Sequence, residues 1–305
     1  MSQHSSPLSA AHHTQLAAGL ALAAVGAVAF SGKAIIIKLA YRHAVDPATL
    51  IMYRMLLALP FFLFMAWWAG RGQAPLTGRQ WRGVLFLGFI GYYLSSYLDF
   101  LGLQYVSASL ERLILYLNPT LVALLGLLLY RRRVGLRQFL GMALSYSGIV
   151  IVFAHELALQ GPAVLLGSAL VFASALSYAV YMVYSGELVQ RLGSLRLVGL
   201  ATTVACLCCI LQFLWLRPIA AAAVAPEVLW LSLINATVCT VAPVLLVMMA
   251  IERIGSSLTA QVGMVGPMVT LVLSGLILGE LISAWVLAGT ALVLAGVYVV
   301  TRGRI

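Results

Sequence analysis

Five ionisable side chains stand inside long apolar runs of this sequence: Lys33, Arg54, Asp99, Glu111 and Arg112. Their settings read FSGKAIIIK, MYRMLLAL, YLDFLGL and SLERLIL. A charge near the centre of a membrane helix costs at least ~2.5 kcal/mol, so it is kept there only against a partner or a cavity. Two chemistries follow. Lys33 or Arg54 can hold an anionic group such as a carboxylate, while Asp99 or Glu111 takes a proton or an ammonium. Equally, the five can satisfy one another as an ion-pair network. Glu111 and Arg112 are consecutive, so on a helix they point about 100° apart. They are expected not to neutralise one another face to face, and at least one needs a partner elsewhere.

Tyrosines gather near these charges. Tyr92, Tyr93, Tyr97 and Tyr116 lie in the same region, and Tyr178, Tyr181 and Tyr184 recur at a spacing of three on one slowly drifting helix face. A deep tyrosine needs a hydrogen-bond partner. Such a set either lines a cavity for an amphipathic solute or packs between helices. Pro119 and Pro267 interrupt two further apolar runs, and each frees a carbonyl, so both are candidate hinges.

Other chemistries find no support. H-E-x-x-H, G-x-S-x-G and a pair of aspartates are all missing from the apolar runs, which speaks against an intramembrane enzyme. His155 ends a run, and His12 and His13 sit on the polar start of the chain. Cys206, Cys208, Cys209 and Cys239 lie in apolar stretches without a nearby histidine and read as small buried hydrophobes. No metal and no cofactor is expected.

The elements that must position these residues are membrane spans. Of 305 residues, 63% are hydrophobic and 9% charged, against roughly 25% charged in soluble domains. A bilayer lets apolar side chains face lipid. A span needs about 20 mainly apolar residues, which predicts ten, near 15–38, 48–69, 82–102, 106–129, 137–155, 162–185, 196–216, 227–249, 256–279 and 283–301. The fold class is therefore an all-α membrane protein of ten helices. The start of the chain lacks Lys and Arg, so the first run reads as a retained helix rather than a secretory leader.

The net charge of +10 punctuates the runs instead of forming a stripe. It points to topology, not to nucleic acid. Ten spans put both termini on one side. That side holds Arg71, Arg79, Arg82, Arg131, Arg132, Arg133, Arg137, Arg191, Arg196, Arg253, Arg302 and Arg304, and the other only Lys38, Arg42 and Arg217. The positive-inside rule then makes both termini cytoplasmic.

An internal repeat runs through the chain. At an offset of 148 residues, GLALAAVGAVAF from Gly19 lies over GSALVFASALSY from Gly167. In the same register Pro119 meets Pro267, Gly141 meets Gly289, and Gly148 meets Gly296. Five spans per half is an odd number, so the second half enters from the opposite side. The expected organisation is a tail over 1–14 and two inverted five-helix repeats, 15–155 and 162–303, around a central cavity. Inverted repeats with a midplane site are a transporter signature. Tyr181 and Thr202 stand where the first half has Lys33 and Arg54, so the cavity is expected to be asymmetric.

These features resemble the EamA branch of the drug/metabolite transporter superfamily. The carriers are the doubled stretches SASLERLILYLNPTLVALLGLLL and SSLTAQVGMVGPMVTLVLSGLILGE, each followed by G-x6-G at Gly141/Gly148 and Gly289/Gly296. SALSYAVYMVYSG from Ser174 is similar to the family's sixth-helix motif, with Tyr178 where tryptophan is frequent. Two departures are Phe30 in place of the usual tryptophan and Tyr130–Arg133 where the fourth span often ends in Glu. The resemblance implies a ten-helix basket in a bacterial inner membrane and, usually, export of metabolites or amino acids from the cytoplasm. The expected partners are the bilayer and a small solute, possibly an amino acid or another anionic or zwitterionic metabolite; monomer and homodimer both stay open. The alternative is a proton-coupled multidrug efflux protein, although the first span carries Lys33 and no acid. An intramembrane enzyme or a scaffold ranks below both.

Overall fold

The computed structural model of the chain describes residues 7–130, 136–263 and 265–302. Arg131, Arg132, Arg133 and Arg304, which weigh in the charge count above, lie outside the described residues. The rest is helical: α1 (Pro7–Tyr41), α2 (Pro47–Gly70), α3 (Gly78–Leu87), α4 (Ser95–Gly102), α5 (Ala108–Leu115), α6 (Asn118–Tyr130), α7 (Leu136–Gln160), α8 (Ala163–Leu192), α9 (Ser194–Leu216), α10 (Pro226–Ala236), α11 (Ala242–Val262), α12 (Val265–Leu273) and α13 (Ala284–Arg302). Among the described residues, eight helical stretches are long and apolar enough to cross a membrane. Met268–Leu278 and Ala284–Gly296 are shorter apolar helices. The ninth predicted span is not one straight rod. Just before it Gly255 takes φ 78°, a left-handed conformation that kinks the chain, and within it a turn at Gly263 precedes α12.

Breaks of helical geometry recur at equivalent places in the two halves. A π-helical turn, Gly88–Leu94, joins α3 to α4, and another, Thr237–Val241, joins α10 to α11. The offset of 148 superimposes the two turns. A π turn leaves backbone carbonyls out of the regular ladder and is frequent at functional sites. The fourth predicted span divides at Tyr116–Leu117 into α5 and α6, and Pro119 stands in the first turn of α6, where its missing N–H costs little. Pro267 stands likewise in the first turn of α12.

Helices pair between halves, antiparallel and through small residues. A Cβ on Gly148 would lie 2.5 Å from the Gly289 carbonyl oxygen, and one on Gly289 would lie 2.6 Å from that of Gly148. Gly296 meets Gly141 further along α7 and α13. Only backbones without side chains approach so closely. Along α1 and α11, Gly19 packs on Ile254 and Gly26 on Val247. The offset of 148 turns the first of these contacts into that of Gly167 with Val106, which the structure also contains. Between α2 and α9, Gly199 meets Ala66, while Cys206 donates to the Met55 sulfur at 3.8 Å. Cys206, Cys209 and Cys239 are buried and all four thiols are free. Trp67 and Trp68 are more than half exposed, and the Arg71 guanidinium lies 3.6 Å from the Trp67 ring centre, an arrangement suited to an interfacial belt.

Candidate functional site

A cavity of about 160 Å³ lies between the halves. The first half contributes Ala23, Ala27, Phe30 and Lys33 of α1, Arg54 of α2, Gly91 and Tyr92 of the π turn, and Ser95 and Ser96 of α4. Arg112 of α5, Leu115, Tyr116, and Asn118 and Pro119 of α6 close one side. Ser174, Tyr178 and Met182 of α8, with Val247, Thr259, Ala260, Gly263 and Gly266, complete it from the second half. The helix breaks are at its wall: the π turn presents Tyr92, and the α5–α6 division presents Tyr116, Asn118 and Pro119.

The five charges seen in sequence converge, in two groups. Lys33 Nζ donates to Asp99 Oδ2 at 2.6 Å and lies 3.9 Å from Glu111 Oε1. Arg112 Nε lies 3.2 Å from Glu111 Oε2, and an Nη of Arg112 donates to the Phe30 carbonyl at 2.8 Å. The expectation that Glu111 and Arg112 cannot neutralise one another is corrected here. A long arginine bends back along the helix and spans the 100° between them. The contact lacks hydrogen-bond alignment, however, and each residue has a further contact, Glu111 with Lys33 and Arg112 with the Phe30 carbonyl.

Arg54 stands apart. It is 1% exposed, and its Nε donates to Thr240 Oγ1 at 2.7 Å. Thr240 in turn donates to the Asn235 carbonyl five residues back, in the second π turn. The Phe100 ring lies 5.3 Å from the guanidinium carbon, and Nη1 has no partner among the described residues.

The tyrosines divide. Tyr178 and Tyr116 border the cavity. Tyr181 is wholly buried behind it, stacked on Tyr178 at 5.6 Å and donating to the Tyr92 hydroxyl at 3.0 Å. Tyr184 turns outward against Phe86. Tyr97 is half-buried against the apolar core and does not border the cavity. Sequence reasoning missed Thr240, Asn118 and the serines. Ser95 and Ser174 pair at 3.1 Å, and Ser177 donates to the Ile90 carbonyl at 2.7 Å. Thr240 had one available signal, since the offset of 148 places it over Tyr92.

A separate polar tie lies beyond the ion pairs. Glu280 accepts from the N–H groups of Ala108 and Ser109 at 2.9 and 3.2 Å, and from Ser109 Oγ at 2.8 Å. It thereby caps the start of α5 from the loop after the π turn Ser274–Leu278. Ser107 donates to Glu156 of α7, and Arg42 to the Leu278 carbonyl at 3.2 Å.

A bundle of apolar helices packed around an internal cavity bordered by charged side chains defines a multi-pass membrane protein. The model of the EamA-like transporter family matches residues 17–154 and again 165–302. The chain belongs to that family, within the drug/metabolite transporter superfamily, and its two matched segments are the two halves of the repeat. It is similar to an uncharacterized transporter of Bacillus subtilis (strain 168), YcbK, at 30% identity over 279 residues, covering 87% of each chain. An uncharacterized transporter of Archaeoglobus fulgidus is 27% identical over 171 residues, 56% of this chain and 58% of that one. A solved crystal structure shares the fold, with a TM-score of 0.67, at 18% identity over 94% of this chain and 97% of its own.

Proposed function

We propose that this protein is a secondary transporter that exports small metabolites or amino acids across the bacterial cytoplasmic membrane by alternating access. The observation that carries the reading is the central cavity, to which both halves contribute and where the buried charges gather. Ten spans in two inverted five-helix repeats, with both termini cytoplasmic, is the topology proposed with it. The antiparallel pairing of equivalent helices supports the inversion, because the offset of 148 converts cross-half contacts into one another. In that orientation Ala23, Met182, Val247 and Thr259 stand toward the cytoplasmic ends of their helices. The Glu280 tie stands on the outer side, so the conformation described is closed outward.

Lys33, Arg54, Arg112, Tyr116 and Tyr178 are proposed to meet the solute. Asp99 and Glu111 hold the cations in place, and Tyr181 holds Tyr92. Pro119 and Pro267, each beside a helix break, are proposed as the hinges. Proton-coupled efflux of cationic drugs is disfavoured, since no carboxylate among the described residues borders the cavity. The test is counterflow of radiolabelled amino acids and small metabolites in liposomes, with and without a pH gradient. Uptake of at least one solute is expected, and Ala27→Trp, which fills the cavity, is expected to abolish it. Full transport by that variant removes the cavity from the path.

A further inference from the structure

We infer that the solute held in this cavity is an organic anion, a small carboxylate with an apolar or aromatic body, in preference to a zwitterion or a cation. The inference rests on the reading of the cavity as the substrate site. Its first support is which charges face the space. Lys33, Arg54 and Arg112 border it, and all three are cations. Asp99 and Glu111 stand behind them, 1% and 0% exposed, and do not border it. A bound ammonium would therefore meet positive groups with no carboxylate in contact.

The second support is the charge count. Among the described charges that border the cavity or pair directly with its wall, three cations face two carboxylates, an excess of one positive charge with both carboxylates ionised and a larger excess if either takes a proton. An uncompensated buried charge is costly, and a bound anion removes that cost.

The third is Arg54. Among the described residues Arg54 Nε donates to a neutral hydroxyl and no carboxylate lies within ion-pair distance, so only the more distant Asp99 offsets its charge. Nη1 has an unused donor among the described residues. The planar guanidinium fork suits a carboxylate in two-point contact. Phe30, Tyr92 and Tyr178 supply an aromatic wall for the rest of the solute.

Four probes on one scaffold test this: 3-phenylpropanoate, phenylalanine, 2-phenylethylammonium and the uncharged 3-phenylpropanol. Each is offered to the purified full chain in detergent, with binding read as the shift of the thermal midpoint, and to proteoliposomes. The anion is expected to bind at least about tenfold more tightly than the other three. Arg54→Gln is expected to weaken it about thirtyfold, the loss typical of a buried charged contact. Arg54→Lys, which keeps the charge and loses the fork, should recover part of that affinity and shows that the site still folds. Preference for phenylalanine or the ammonium probe overturns the inference, as does equal or absent response to all four. If a zwitterion or cation is moved and Ala27→Trp abolishes its movement, the cavity reading stands and only the anion inference falls. If Ala27→Trp leaves movement intact, the cavity reading itself falls.

Discussion

Lys33 and Asp99 meet at 2.6 Å with side-chain exposures of 10% and 1%, so the pair lies where water screens little. Asp99 Oδ1 already lacks a well-aligned hydrogen bond among the described residues. Replacing Lys33 alone would leave an uncompensated buried carboxylate, and breaking a buried pair from one side typically costs about 3–5 kcal/mol. Lys33→Met is therefore expected to destabilise the purified protein by about that amount. The double variant Lys33→Met with Asp99→Leu is expected to lose less than Lys33→Met alone. Chemical denaturation in micelles measures both, and a double loss equal to the sum of the single losses would falsify the pairing. At this scale the five charged residues were legible because a charge in an apolar run is conspicuous. Which of them border the cavity was not, since that depends on which side of the pair each head group takes.

Helix ends and breaks set where these side chains stand. Asp46 caps α2, accepting from the N–H groups of Ala48 and Thr49 at 3.0 and 3.2 Å, and its Oδ1 lies 3.1 Å from Arg217 Nε at the end of α9. Burial alone pushes this carboxyl up. The Thr49 and Ala48 hydrogen bonds and the Arg217 charge outweigh it and hold the group below its usual range. A depressed folded value means a contribution to stability that is present above the ordinary Asp value, about 3.9, and lost as the pH falls through the folded one. Melting midpoints taken from pH 5 downward should fall less steeply in Asp46→Asn than in the wild type.

Glu280 acts on another helix end. Glu280→Ala leaves the first N–H groups of α5 uncapped and removes a tie on the proposed outer side, so the outward-open population should rise. A cysteine at Ser96 should then react faster with an impermeant maleimide from outside; an unchanged rate excludes a gating role for Glu280. The close contact of α7 with α13 has its own test. Gly289→Leu would drive a side chain into the Gly148 backbone, and a loss of about 1–3 kcal/mol or more is expected in the same denaturation measurement. The breaks at Pro119 and Pro267 were legible from the prolines. The π turns were not, because no residue pattern in GFIGYYL or TVCTV separates them from α-helix.

Across the whole molecule, each half supplies what the other packs against: α1 lies on α11, α2 on α9 and α7 on α13. The proposed topology makes a direct prediction. Single cysteines at His43 and Ala220 should react with an impermeant reagent from outside intact cells, and those at Gln73 and Arg191 only after permeabilisation. Labelling of Ala220 and Arg191 from one face sinks the inverted arrangement.

By itself the sequence determined that this is a helical membrane protein in two repeats, because hydropathy and a constant offset are properties of a linear string. It also named most of the charged and aromatic residues of the central site. The tertiary structure alone decided that Arg54 stands apart on Thr240, that Lys33 pairs with Asp99, that Tyr97 faces the core, and that the carboxylates lie behind the cations. Those facts depend on helix rotation and on contacts between residues 66 to 186 positions apart, where small residues let backbones close in and long side chains choose among partners that no local pattern brings together.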